Sequence, residues 1–426
     1  MSEAEGIARF QTIAPGRAGS APRHEGMSCY ASPTRQRGGN GMARMEVGIN
    51  YPSGPGPHSP TYGWDFGIAP PGWGPLLWKT LLPDDLRQFR ELGFVAVRWF
   101  ILGDGLTYGT PKDGHPPRLE GNQWRFTPPP SLQGTQILED FQQMLEMFRQ
   151  INAQGGPPIK LLPSLIDFLA FRPGVPVNGG WVKQGRADLV REPAKRSHFL
   201  QTVLKPLLEL TWRPEYRDLL YAWELINEPE WVTYTDKPTP ERPLSVEDMK
   251  AFIREGAALI NALGYDTTAK RGHFRSTVGF AMYHTLFDRP AFQDSFGVWR
   301  PAGWSSPGLG LTLHQFHHYA HPAMSKDGLL VPHPAGRLER NTFDARWPCI
   351  IGEIATGPDC NPWPELPLQD VYNRLTHAER CGYPATFLWS ARRPAEDDQP
   401  GAPAPTLWTP RIRDHIQKFT RSISVA

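Results

Sequence analysis

From residue 45 onward the chain alternates between two patterns of apolar positions. Short unbroken apolar runs predict strands covered on both faces, and stretches with apolar residues three or four apart predict amphipathic helices. The first strand is expected at 46–50 (EVGIN) and the second at 94–101 (FVAVRWFI). Between them Leu82, Leu86, Phe89 and Leu92 stand at helical spacing, behind a Pro83-Asp84 start. Leu138, Phe141, Met144, Leu145 and Phe148 mark a helix over 137–151. A third strand follows at 159–166, where Pro163 predicts a bulge or an irregular end.

The alternation continues with apolar segments at 199–210 and 216–220 and a fourth strand at 221–226. A long helix over 246–263 is expected to end at Gly264. Strands five to eight are expected at 275–280, 311–316, 349–351 and 385–389. Helices at 368–381 and 411–422 flank the last strand. Parallel strands need long crossovers, so strands separated by helices predict a parallel sheet of the α/β class. Eight such units favour closure into a (β/α)8 TIM barrel over 45–426. No GxGxxG or Walker A pattern follows a strand, which removes the usual support for a nucleotide fold.

Residues 1–44 are rich in Gly, Ser, Ala, Arg and Pro and poor in large apolar groups, which predicts a disordered leader. The 46 Pro and 41 Gly imply many ordered turns and long loops, the longest at 102–135, 167–198, 229–245 and 320–345. In a barrel, loops on the C-terminal face build the active site, so these predict a deep cleft. Lys and Arg total 45 against 43 Asp and Glu, a balance that argues against nucleic acid or an anionic membrane as partner. No run of about 18 apolar residues predicts a membrane span. No signal segment is visible either, so a cytoplasmic location is the default expectation. The four Cys form no CxxC pair; a Cys349–Cys360 disulfide and free thiols both stay open.

Two acidic positions stand out. In Trp223-Glu224-Leu225-Ile226-Asn227-Glu228-Pro229, Pro229 cannot continue a central strand and stops it directly after Glu228. Glu228 is thereby expected at the rim. In Pro348-Cys349-Ile350-Ile351-Gly352-Glu353-Ile354, Glu353 interrupts an apolar strand near its end, and Gly352 is expected to let a ligand or backbone approach closely. Two carboxyl groups at the ends of separate barrel strands suit glycoside hydrolysis. A gap of about 5–5.5 Å retains configuration and one of about 6.5–9.5 Å inverts it.

On these residues the chain resembles the clan A glycoside hydrolases, and most the cellulase-like family 5. In that clan an Asn-Glu pair ends strand four and a Glu ends strand seven. The resemblance implies acid/base Glu228, nucleophile Glu353, and Asn227 on the sugar 2-hydroxyl. It further implies that Arg98 braces the nucleophile, that His317 and Tyr319 of His317-His318-Tyr319 flank it, and that Trp389 floors the sugar site. Asn50-Tyr51 fits loosely. The family's strand-three His is missing; Ser164, Asp167 and Phe168 stand there, with Asp167 as its substitute. The resemblance implies a retaining O-glycosyl hydrolase acting on a β-glucan, β-mannan or related β-glycoside, an oligo- or polysaccharide partner, and no cofactor.

Other readings stay open. Arg98 in an apolar strand needs a partner, and Glu224 is an alternative to Glu353. Trp99 and Trp223 are read as core, Glu230 as a loop charge, and Trp64, Trp73, Trp124, Trp181 and Trp231 as sugar platforms or surface packing. His314, His317, His318 and His321 invite a metal-dependent barrel hydrolase, against which no early-strand His pair is present. A carbohydrate-binding pseudoenzyme on the same barrel is the third reading.

Overall fold

The computed structural model describes residues 44–51, 78–103, 105, 118–120, 123–125, 136–177, 181–234, 237–266, 271–272, 274–287, 292–293, 299–300, 304, 306–318, 347–355, 371–389 and 410–421. The expected leader lies outside them but for Arg44, as do Tyr319 and the 320–345 loop.

Eight strands form one parallel sheet: β1 (Glu46–Asn50), β2 (Ala96–Leu102), β3 (Lys160–Ile166), β4 (Trp223–Asn227), β5 (Ser276–Gly279), β6 (His314–His318), β7 (Cys349–Ala355) and β8 (Ala385–Trp389). Their order is β5-β4-β3-β2-β1-β8-β7-β6. A parallel bridge between Phe280 and Phe316 joins the two ends, which closes the barrel. Helices α1 (Trp78–Glu91), α2 (Gln136–Ala153), α3 (193–211), α4 (Val246–Leu263), α5 (Val371–Arg380) and α6 (Pro410–Arg421) follow strands one to four, seven and eight. Helix α1 starts a turn ahead of the expected Pro83, which it contains. Helix α3 carries a π turn at Leu200–Leu204, directly before Lys205-Pro206. Pro206 lacks an N–H and crowds the preceding turn, which accounts for the widening. Ser245 caps α4 by accepting from Asp248 N, and the helix ends at Gly264 as expected.

The core has two layers. Between strands and helices lie residues such as Phe141 and Phe148 of α2 with Trp99 and Trp223 of the sheet. Inside the barrel Ala96, Leu162, Ala222, Leu313, Ile350, Ala385 and Phe387 form a second cluster. Gly48 belongs to this layer: a Cβ there would stand 2.4 Å from the Phe387 ring. Pro163 makes no bulge toward β2, with which its register is continuous. Tyr221 N donates to Leu161 O, so the odd-numbered backbone groups of β3 face β4. On that side Pro163 offers no donor, and paired register shrinks to Ser164 opposite Glu224.

Three register shifts shape the mouth. On β4, Glu224 to Asn227 oppose only Thr277 to Gly279 of β5. On the β6–β7 pair the shift falls between Phe316 and His317, and between β7 and β8 it falls between Ile351 and Ile354. A bulge re-aims the side chains beyond it. Strict alternation would send Asn227 and Glu353 outward, since Glu224 and Gly352 face in. The shifts bring both to the interior.

Candidate active site

Arg98 of β2 is wholly buried, a costly state for a lone charge, and every one of its N–H groups is used. Nε and Nη2 donate to the two oxygens of Glu224 at 2.7 and 2.6 Å. Nη2 also donates to Asn227 Oδ1 at 2.7 Å. Nη1 donates to Asn50 Oδ1 at 2.8 Å and to Glu353 Oε1 at 2.7 Å. Both expected partners of Arg98 are therefore real: Glu224 takes the bidentate face and Glu353 the tip. Burial opposes the guanidinium charge, but Glu224 and Glu353 outweigh it and hold Arg98 protonated more firmly than usual. Ser164 Oγ and Gln315 Nε2 also donate to Glu224, each at 2.7 Å. Asn50 Nδ2 donates to the backbone oxygens of Gly352 and Leu388, tying β1 to β7 and β8.

Glu228 follows β4 in a left-handed conformation, φ 46° and ψ 53°. That is unusual for a residue without the freedom of glycine, and the next residue is Pro229. Its amide donates to Gly279 O at 2.7 Å, which holds the corner. Glu228 Oε2 accepts from Trp231 Nε1 at 2.8 Å. Burial pushes its carboxyl up to about 7 and Glu224 adds to this, while the Trp231 bond and Arg98 oppose it. The side chain retains 14% of its surface, so the group is open on one side.

His317 Nδ1 stands 2.7 Å from Glu228 Oε1 and 3.5 Å from Glu353 Oε2. Burial lowers its pKa to about 4, with Arg98 acting the same way and Glu353 and Glu224 against it, so the ring is neutral near pH 7. One carboxylate oxygen from each Glu and the His317 nitrogen all lie within 4.8 Å of one another. Such a trio could hold a metal ion. Its surroundings suit one poorly: Arg98 already takes Glu353, and no acceptor meets His317 Nε2 among the described residues. Glycine at position 279 leaves the space there, because a Cβ would stand 2.9 Å from His317 Nε2.

Asn227 Nδ2 donates to Asp167 Oδ2 at 2.6 Å. Asp167 Oδ1 accepts from Leu169 N at 2.8 Å, which starts the short helix after β3. Burial raises the Asp167 pKa to about 8, with Glu228 and Glu353 adding and its two bonds opposing. Trp389 ends β8 half-buried, its ring 6.3 Å from that of Phe100 and edge-on.

Several expectations need revision. Glu230 is no solvated loop charge: it is 5% exposed and accepts from Ala281 N at 3.1 Å and Thr285 Oγ1 at 2.8 Å. The neighbour that Gly352 admits is the Gln315 side chain, 2.2 Å from where a Cβ would be. Trp231 is a partner of Glu228, a role its sequence position did not announce. Tyr319 and the side chains of Trp64, Trp73, Trp124 and Trp181 lie outside the described residues, as does Cys360. Cys349 is buried.

No family model matches the chain, and no curated protein matches it in sequence. Solved structures do resemble it. A beta-mannanase from the blue mussel Mytilus edulis has a TM-score of 0.52 at 14% identity, covering 90% of this chain and 92% of its own. An endo-1,4-beta-mannanase from Eisenia fetida has a TM-score of 0.52 at 16% identity, covering 86% and 91%. The GH5_18 protein from Streptomyces cattleya, in complex with GlcNAc, has a TM-score of 0.54 at 12% identity, covering 90% and 81%. At such identities the likeness is one of fold.

Proposed function

We propose that the chain is a retaining β-glycosidase of the cellulase-like family 5 in clan A. The observation that carries this reading is the approach of Glu228 and Glu353, with carboxylate oxygens within 4.8 Å across the barrel mouth. That approach lies on the side of the short separation of about 5–5.5 Å that goes with retention rather than the one of about 6.5–9.5 Å that goes with inversion. Their surroundings differ in the required sense. Glu353 accepts a charge-assisted bond from Arg98, which favours the ionised nucleophile. Glu228, raised to about 7 by burial, keeps a proton near neutrality.

Glu353 attacks the anomeric carbon while Glu228 gives its proton to the departing glycosidic oxygen. Glu228, now a carboxylate, takes a proton from the water that hydrolyses the glycosyl-enzyme. Neutral His317 lies between the two acids and passes no net charge to either. In this reading Asn227 meets the hydroxyl next to the reacting carbon and Trp389 floors the sugar ring, while Tyr319 is assigned to the nucleophile by the family resemblance alone. The resemblance in fold to two proteins described as mannanases favours a β-mannan over a β-glucan.

The test is Glu353→Ala on aryl β-glycosides, with and without azide. Loss of at least about a thousandfold in kcat, with azide restoring turnover as a glycosyl azide of inverted configuration, is expected. Wild-type turnover in the variant overturns the assignment.

A further inference from the structure

Asn227 is held by two partners that admit one orientation of its amide. Arg98 Nη2 donates to Oδ1 at 2.7 Å, and Nδ2 donates to Asp167 Oδ2 at 2.6 Å. A flipped amide would set its NH2 against the Arg98 guanidinium, which has donors only. Asp167 is itself fixed: it is 1% exposed, and its other oxygen accepts from Leu169 N. The pairing spans the β3 and β4 ends, where Asp167 and Asn227 also form an isolated backbone bridge. One Nδ2 hydrogen of Asn227 is then left with no acceptor among the described residues. It belongs to the residue directly before Glu228, one whose Oδ1 shares the Arg98 guanidinium with Glu353.

We propose that Asp167 is a positioning residue, which locks the Asn227 amide so that its second N–H is presented to the hydroxyl adjacent to the sugar's reacting carbon. The inference rests on the glycosidase reading. It deepens that reading by assigning a task to a side chain that, among the described residues, bonds to Asn227 and to Leu169 N.

The effect must therefore appear only for sugars that carry that hydroxyl. The experiment compares wild type, Asp167→Ala, Asp167→Asn and Asn227→Ala on a matched pair of aryl β-glycosides, one with a 2-hydroxyl and one 2-deoxy. Asp167→Asn guards against misfolding, because its oxygen can still cap Leu169 N while its NH2 then opposes that of Asn227. For both Asp167 variants kcat/KM on the 2-hydroxy substrate is expected to fall by about 10- to 100-fold, the scale of one displaced buried hydrogen bond. The 2-deoxy substrate should change by less than about threefold. Asp167→Ala combined with Asn227→Ala should be no slower than Asn227→Ala alone, as for two residues acting as a unit. Equal losses on both substrates, or multiplying losses in the double variant, overturn the inference. A wild type that hydrolyses neither substrate, nor any other glycoside, overturns the glycosidase reading instead.

Discussion

Trp231 donates its indole N–H to Glu228 at 2.8 Å from only three residues along the chain. The bond spans a corner in which Glu228 is left-handed and Trp231 N returns to Glu228 O at 3.2 Å. It favours the ionised carboxyl and works against burial, the larger influence. In the proposed mechanism Glu228 serves the first step as an acid only while protonated, so activity should fall as pH rises through its pKa near 7. Trp231→Phe removes the donor and raises that pKa. The alkaline limb of kcat/KM is expected to move to higher pH. A limb that stays in place, or moves down, contradicts this account of Glu228.

Gly279 predicts a second outcome. A Cβ there would meet His317 Nε2 at 2.9 Å and both Arg98 Nη2 and Glu224 Oε1 at 3.0 Å. All three are buried side chains that cannot swing into solvent. Gly279→Ala should cost roughly 1–3 kcal/mol in stability, as overpacking does. By displacing His317 and Arg98 it should also lower kcat by about tenfold or more. Urea denaturation and steady-state kinetics at saturating substrate read the two effects separately. Unchanged kcat would mean that this wall of the site yields.

Glu230 predicts how stability depends on pH. Burial raises its pKa from 4.5 to about 7, Glu228 adds to this, and the bonds from Ala281 and Thr285 oppose it. Between those values the folded chain holds a proton that the unfolded chain has released. The resulting stabilisation is complete below the unfolded value and is lost as pH rises through 7. Glu230→Gln has no such proton to lose. Its stability relative to wild type should improve from about pH 5 to about pH 8, measured as urea midpoints. A constant difference across that range would contradict a protonated Glu230 in the fold.

The barrel was legible because each strand is a short apolar run stopped by turn residues, and each long helix repeats at helical spacing. Pro229 marked the end of β4, and the acids at 228 and 353 broke patterns that packing alone would have kept. Less legible was how those acids reach the interior. The register shifts at Asn227, His317 and Glu353 arise between strands, so no single-strand pattern carries them. Glu230 looks like any loop acid, because its partners Ala281 and Thr285 lie some fifty residues away in sequence. Gln315 reads as an unremarkable polar residue until β6 brings it to Glu224, where Ser164 of β3 also donates. Strand alternation placed Glu224 inside correctly, yet taken alone it would have turned Asn227 away.

The junction between β5 and β6 differs from the other seven. It is stitched by the Phe280–Phe316 bridge and a few amide bonds, among them His317 N to Phe280 O at 2.7 Å and Leu313 N to Ser276 O at 3.0 Å. A cylinder yields first at its thinnest stitching. Here that stitching also sets the height of His317, so any parting of the wall withdraws the imidazole from between the two acids. Local breathing and loss of turnover should thus begin at the same place, well before the chain as a whole unravels.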